Sequence, residues 1–485
     1  MPSEAKKRLA TTIRELRARL LAELDAALDS AYLLAIADPA AAGLDAARAA
    51  RRGLLDQALD DAARLHPPKA RAAARARARR DVVEEAAYTW LNRLVYLRLL
   101  EAAGLRAETV LTGGWGSRGY LAFRELAPAL CTGDRTEGYA TLLDLVFRDL
   151  ALDLPGLFGD VGTLRLVPMP PQTLRAVVEA LDQRELAPCW HDDTTLGWIY
   201  QYWNDPEREA LDAKLNGGGK VEPWEIASKT QMFTERYMVE WLLQNSLGQT
   251  WLAMCEKNGW TAQVNAPDPT RDGRSTLTDL AQRRAAFRAR REAGAVAPDA
   301  LMPIAPGLED RWKYWVEQPL PADAASHAPA RLSELRLLDP ACGSGHFLVI
   351  AFDLLLALYE EEAAHLGQAF DPEVAARHIL EDNLHGVDLD PRAVQIAAAA
   401  LLLAAWRVAP GLTVSRLGLV ATHFRLGALP PDDPSRVALR EALAAEAGLS
   451  GQVTDRLIET LAGVDHLGTL LRVDTAIDAV LRDSA

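Results

Sequence analysis

The chain has 485 residues, 49% of them hydrophobic, and a formal net charge of -14. That length and apolar share can bury large cores and predict about two or three domains, while the acidic balance excludes a uniformly basic nucleic-acid coat. Four scattered cysteines, Cys131, Cys189, Cys255 and Cys342, show no metal-ligand spacing, which predicts a reducing cytoplasm and no metal site.

Residues 4–110 read as helices. Leu16, Leu20, Leu21 and Leu24 recur at helical spacing, and so do Leu91, Leu94, Val95 and Leu99. The opening MPSEAKKRLATTIRELRARLL is charged and amphipathic, unlike a signal peptide. His66-Pro67-Pro68 interrupts the pattern. The basic run after it, with Lys69, Arg71, Arg75, Arg77, Arg79 and Arg80, is either a phosphate-contacting helix face or a solvated surface helix. LTGGWGSRGY, Leu111 to Tyr120, marks a loop or a short strand pair. Residues 120–205 are mostly helical, with a proline break at Val167 to Pro171.

Asn216 to Lys220, NGGGK, is a hinge. No apolar strand leads into it and no Ser or Thr follows Lys220, which favours a linker over a phosphate loop. Residues 225–260 contain KTQMFTERYMVEWLLQNSLG, and residues 262–330 read as polar and irregular. There Arg271, Arg274, Arg283, Arg284, Arg288 and Arg291 either track DNA phosphates or belong to a solvated insertion. AAAALLLAAW, Ala397 to Trp406, fits a buried helix, and no membrane span is expected. The expected domains are residues 1–215 (helical), 216–330 (the Phe-Thr segment plus the Arg-rich insertion) and 331–485 (a partial α/β sheet with a helical extension).

The most specific stretch is LRLLDPACGSGHF, Leu335 to Phe347. An apolar strand ends in Asp339, small residues follow, and an apolar helix begins near Phe347. Gly343 and Gly345 permit positive φ and leave no Cβ between the backbone and a ligand. The helix start points free N–H groups into the same space. An acid at the strand end favours a cationic or hydroxyl-bearing ligand over a phosphate, which separates this loop from Gly-Lys-Ser/Thr motifs. A second unit, LHGVDLDPRAV, places Asp388 at the end of the next strand, where an acid accepts ribose hydroxyls. Asp390 and Pro391 then open a helix as its N-cap and first residue. The pair predicts the first strands of a doubly wound, Rossmann-like sheet.

DPACGSGHF resembles the cofactor motif of S-adenosylmethionine-dependent DNA methyltransferases, the N6-adenine class in particular. The resemblance implies that Asp339, Pro340, Ala341, Gly343, Gly345 and Phe347 hold the methionine end of S-adenosyl-L-methionine, and that Asp388 takes the ribose. KTQMFTERYMVEWLLQNSLG is similar to the Phe-Thr helix of that class, which implies that Phe233 and Thr234 line the methionine pocket. Without the downstream motifs, the favoured reading makes Phe233 a core side chain and Thr234 a cap for a helix starting at Glu235; with them, the pocket is favoured. AAYTWLNRLVYLRLLE and LGWIYQYW narrow the resemblance to PglX-type methyltransferases of BREX phage-defence systems, over about residues 80–425. Taken alone, the aromatic and Leu positions of these strings are core helix packing.

The sequence also departs from that family. The class binds the target amine through an Asn-Pro-Pro-Tyr string, with the base flipped out of the duplex. The three Pro-Pro pairs here stand in HPPK, MPPQ and LPPD, so no catalytic residue is assigned. His423 to Pro430, HFRLGALP, lacks the polar side chain of the third motif. The expectation is a site-specific adenine-N6 DNA methyltransferase of a phage-defence or restriction-modification system, as a truncated or split chain carrying the cofactor half. It would act on double-stranded DNA in the cytoplasm, with a second polypeptide supplying the catalytic half and with other defence-system proteins as partners. The alternative is a non-catalytic module that binds S-adenosylmethionine and serves DNA binding or assembly. A third reading, a methyltransferase for RNA, protein or a small molecule, is disfavoured by the N-terminal strings. A sheet ending after about three strands exposes an edge and predicts poor stability alone.

Overall fold

Leucines three and four apart give the N-terminal part its long helices. In the computed structural model, α1 (Ser3–Tyr32) buries Leu9, Ile13, Leu16, Leu20, Leu24 and Leu28 along one stripe. That stripe packs on α3 (Arg71–Ala102), as does α2 (Ala46–Arg64). The C-terminal half of α3 is buried nearly all round, including Leu91, Leu94, Val95 and Leu99, so it forms the centre of the helical core. Truncating one of these leucines to Ala costs about 2–5 kcal/mol. The structure describes residues 1–34, 36, 43–64, 67–159, 163–221, 234–260, 277–300, 302, 311–316, 318–422, 434–447 and 449–460.

Shorter helices α4 (Arg118–Leu126), α5 (Tyr139–Leu150) and α6 (Pro171–Leu181) complete this core. The Gly/Trp segment is a loop rather than a strand pair, and the buried carboxylate of Glu101 organises it. Glu101 accepts from the backbone N–H groups of Val110 (2.6 Å), Leu111 (2.8 Å) and Thr112 (2.8 Å), and from the Thr112 hydroxyl (2.6 Å). Trp115 stacks on Tyr139 at 3.9 Å, with the Arg175 guanidinium 4.2 Å from the indole centre. The LGWIYQYW residues lie at the start of α7 (Thr195–Asn216), and Tyr88 of α3 meets Trp203 edge-on at 5.3 Å. Both Tyr88 and Trp203 are buried, so these aromatic strings pack the core.

Further along lie α8 (Arg236–Asn258), α9 (Leu277–Glu292), α10 (His346–His365), α11 (Pro391–Val408), α12 (Pro434–Ala447) and α13 (Gly451–Thr460). The expectation of irregular chain over 262–330 is corrected at α9, where good helix formers and the buried Leu277 and Leu280 produce a regular helix. Among the described residues, α11 alone is long and apolar enough to cross a membrane, yet 56% of it is buried inside the protein. Three strands, β1 (Leu337–Asp339), β2 (Leu384–Asp388) and β3 (Gly418–Ala421), form a sheet in the order β1-β2-β3. β1 and β2 run parallel, with Leu337 opposite Leu384, Leu338 opposite His385 and Asp339 opposite Gly386. Leu338, on the edge strand β1, is 60% exposed.

The chain divides into two compact units. One comprises Met1–Trp203, Phe233–Gly386 and Arg392–Leu419; the other comprises Asn204–Met232, Val387–Pro391 and Val420–Ala485. In the second unit α12 and α13 pack together, and Asp455 accepts from Arg436 (2.7 Å) and Arg440 (3.1 Å).

Candidate cofactor site

The lead-in to β1 is fixed by two buried polar side chains. Asn383 ends the turn before β2 and is fully buried. Its amide donates to the carbonyls of Leu332 (2.7 Å) and Leu335 (2.9 Å), and its Oδ1 accepts from the Tyr359 hydroxyl (3.0 Å). Glu362 of α10 accepts from the Leu332 N–H at 2.9 Å, and burial pushes its carboxyl pKa up. These bonds tie β1, β2 and α10 together at the end of the sheet where the chain enters.

At the opposite end, β1 delivers Asp339 into the small-residue loop. Asp339 Oδ1 accepts from the Ala341 N–H at 3.1 Å, and the Gly345 N–H donates to the Cys342 carbonyl at 2.8 Å. Pro340 and Ala341 are exposed, Asp339, Gly343 and Phe347 half-buried, and Gly345 buried. The two glycines serve different purposes. Gly345 has φ +81°, and a Cβ there would lie 2.9 Å from both Cα and Cβ of Ala397 on α11. It lets the start of α10 touch that helix. Gly343 has φ +51°, with nothing within 4 Å of its absent Cβ, so it faces open space. α10 then starts with Gly345 as N-cap and no side-chain capping bond, leaving its first N–H groups to the loop.

Cys342 is buried, and it and Gly386 account for the fit of the loop on the sheet. A Cβ on Gly386 would lie 3.0 Å from Cys342 Sγ, 2.9 Å from Leu348 and 2.8 Å from Leu419. His346 is also buried, and burial drives its pKa down to about 4, with Asp193 opposing and Arg236 reinforcing the shift. The imidazole is therefore neutral near pH 7.

Asp388 ends β2 within the second compact unit. Its Oδ1 accepts from the Asp390 N–H at 2.8 Å, and its carbonyl accepts from the Thr422 N–H at 2.8 Å. Asp390 is buried directly before α11. Phe233 and the His423 to Pro430 segment lie outside the described residues. Thr234 is half-buried, and the cap of α8 is Glu235, without a side-chain bond. The alternative capping role for Thr234 is thereby corrected.

Sequence reasoning missed the network beside this start. Arg236 donates to both Asp193 oxygens (2.7 and 2.8 Å) and to Glu240 (2.7 Å), which also meets Lys313 at 3.2 Å. Burial opposes the guanidinium charge, but the Asp193 and Glu240 carboxylates outweigh it and hold the pKa above its ordinary value. The Arg236/Glu240 spacing of one helical turn was the available signal. Also missed was an exposed apolar face on α8 formed by Tyr237, Met238, Trp241 and Leu242.

The basic runs are corrected in part. Arg75 pairs with Asp56 (2.5 Å) and Asp60 (2.9 Å), and Arg79 with Asp25 (2.7 Å) and Asp29 (2.9 Å). These arginines of α3 bind carboxylates of α1 and α2 instead of lying open to phosphate. In α9, Arg284 donates to the carbonyls of Trp312 (3.2 Å) and Trp315, and Arg291 donates to that of Ala300. Arg271 and Arg274 lie outside the described residues.

The family described as the MmeI DNA-methyltransferase domain matches residues 322–433, which cover the loop, both acids and β3. The adenine-specific methyltransferase PglX of Lacticaseibacillus casei (strain Zhang) is 27% identical over 67% of this chain and 25% of its own length. The adenine-specific methyltransferase BrxX of Escherichia coli O9:H4 (strain HS) is 26% identical over 67% of this chain and 24% of its own. A putative type II restriction enzyme and methyltransferase of Methanocaldococcus jannaschii is 42% identical over 15% of this chain and 6% of its own. The chain matches about a quarter of the length of the first two relatives. Its residues 322–433 match that methyltransferase domain, and over two thirds of its length the chain is similar to PglX-type adenine-specific methyltransferases.

Proposed function

We propose that this chain is the cofactor-binding portion of an adenine-N6 DNA methyltransferase in a phage-defence or restriction-modification system, built on a Rossmann-like sheet. The observation that carries the reading is the Asp339–Phe347 loop. It has an acid at a strand end, Gly343 at positive φ over open space, and a helix start without a side-chain cap. A ligand with a cationic centre, a carboxylate and ribose hydroxyls matches that set of groups, and S-adenosyl-L-methionine has all three. When bound it supplies a methyl group activated on a sulfonium. Asp339 attracts the cationic methionine end, and the first N–H groups of α10 bind its carboxylate. Asp388 accepts the ribose hydroxyls. Pro340, Ala341, Gly345 and Phe347 shape the loop, and Phe233 and Thr234 line the methionine side. Neutral His346 adds no positive charge beside a cationic ligand.

The substrate is double-stranded DNA with the target adenine flipped out, in the cytoplasm alongside other defence-system proteins. The 485 residues hold no Asn-Pro-Pro-aromatic string, and the proposed source of the groups that bind the acceptor amine is a second polypeptide. That same observation favours a second reading, a non-catalytic module that binds S-adenosylmethionine and contributes to DNA binding or assembly. The organisation follows residues 1–215 as a helical domain, 216–330 as the Phe-Thr segment with its insertion, and 331–485 as the cofactor domain.

Ultraviolet crosslinking of radiolabelled S-adenosylmethionine to the purified chain, with peptide mapping, tests the assignment. Label on the peptide containing Asp339 to Phe347, competed by unlabelled cofactor, supports it. Label elsewhere, or none on folded protein, contradicts it. Adding unmethylated duplex DNA then separates the two readings: no methyl incorporation by this chain alone, restored by a polypeptide bearing the missing string, supports the first.

A further inference from the structure

A second constellation lies at the far ends of α8 and α10, away from the loop. Cys255 is on the last turn of α8, and Glu361 and His365 stand one turn apart at the end of α10. One donor atom from each lies within 4.8 Å of the other two. All three are withdrawn from solvent: Cys255 is 5% exposed, and the side chains of Glu361 and His365 are 13% and 5% exposed.

The imidazole is the informative group. Neither ring nitrogen of His365 has a hydrogen-bond partner, although both are buried. A buried polar group in that state costs free energy, and such groups in folded proteins ordinarily have partners. His365 Nε2 stands 3.6 Å from Glu361 Oε1, too far for a hydrogen bond. Bonds of about 2.0–2.1 Å to one tetrahedral cation place nitrogen and oxygen ligands about 3.4 Å apart. The surroundings hold both side chains in place. The Trp251 indole N–H donates to Glu361 Oε1 at 3.1 Å, and Trp260 stacks face to face on the His365 ring at 5.2 Å.

We propose that Cys255, Glu361 and His365 bind a divalent cation of the zinc class, which clamps α8 to α10. The donor set of sulfur, imidazole nitrogen and carboxylate oxygen suits zinc and excludes the all-oxygen preference of calcium and magnesium. Charge balances: a thiolate and a carboxylate offset the two positive charges, so a neutral site gives one nitrogen of the buried imidazole a partner. On binding, the Cys255 thiol releases its proton to solvent and neutral His365 contributes a ring lone pair. Three protein ligands leave a fourth position for water. The bond to Trp251 acts behind the ligands to orient the carboxylate. The expected role is structural, because the two helices carry the Phe-Thr segment and the glycine loop at their opposite ends. Cysteine spacing did not reveal this site, because its ligands come from two helices separated by more than a hundred residues.

The test uses the full 485-residue chain. Chelator-treated protein, confirmed folded by circular dichroism, is titrated with zinc and, separately, with cobalt(II). The proposal expects stoichiometric zinc uptake and an unfolding midpoint that rises with free zinc. Cobalt should give a near-ultraviolet thiolate charge-transfer band that disappears in Cys255→Ser and quench tryptophan fluorescence through Trp251 and Trp260. His365→Gln should weaken zinc at least about tenfold, as losing even a supporting group does at zinc sites. Folded wild-type protein showing neither zinc uptake nor the cobalt band overturns the proposal without recourse to any variant. A band that survives in Cys255→Ser also overturns it, since another cysteine would then be the ligand.

Discussion

The two loop glycines make opposite demands, so replacing each with Ala separates stability from binding. Both lie at positive φ, +51° at Gly343 and +81° at Gly345, where an L residue costs about 1–2 kcal/mol. At Gly343 nothing stands within 4 Å of the new Cβ, so backbone strain is the whole stability cost. At Gly345 the new Cβ lies 2.9 Å from the Ala397 backbone, against at least about 3.4 Å for ordinary contact, and α11 must shift. Overpacking of that kind adds about 1–3 kcal/mol. Gly345→Ala should therefore destabilise by about 2–5 kcal/mol and Gly343→Ala by about 1–2 kcal/mol, read from urea midpoints with unchanged slopes. Binding should show a different pattern. On the proposed placement of the cofactor, the Gly343 Cβ enters the space the ligand would occupy, so equilibrium dialysis should show at least about a tenfold loss, or 1.4 kcal/mol. Equal stability of the two variants would refute the packing argument. Undiminished cofactor binding by Gly343→Ala would refute the placement of the ligand.

Other expected outcomes follow from the buried polar groups. Glu101→Gln sets an amide N–H₂ against backbone N–H donors in either orientation, and should cost about 2–4 kcal/mol in denaturant unfolding. A loss well below 1 kcal/mol would mean that the carboxylate does not hold the Gly/Trp loop. His346 supplies a pH signature. Its folded pKa of about 4 lies below the ordinary 6.5, so the unfolded chain takes up a proton that the fold resists. This contribution is present above about pH 6.5 and is lost as pH falls towards 4, on the order of 3 kcal/mol in total. Urea unfolding across that range should show the loss in the wild type and a smaller slope in His346→Gln. Parallel profiles would exclude His346 as the source.

Much of the sheet and loop could be read from the sequence because local chemistry fixes them. An apolar run ending in Asp339, glycines where φ is positive, and Asp390-Pro391 before α11 each state their conformation within a few residues. The helical N-terminal region was legible for the same reason, through the leucine spacing of α1 and α3. Other features were not, because distant partners decide them. Asn383 gains its role from carbonyls on Leu332 and Leu335, and Gly386 from the approach of Cys342, Leu348 and Leu419. The basic runs misled for a related reason: charge in a sequence does not show that Arg75 and Arg79 already have carboxylate partners on other helices. The His365 cluster is the extreme case, since its third ligand, Cys255, comes from a helix more than a hundred residues away from Glu361 and His365.

The most direct test of the central claim is isothermal titration of the purified chain with S-adenosyl-L-methionine, with Asp388→Ala measured in parallel. The account predicts saturable, single-site binding by the wild type that is lost or severely weakened in the variant, with both proteins equally folded by circular dichroism. No heat of binding from folded wild-type protein, or equal affinity in the variant, would contradict it.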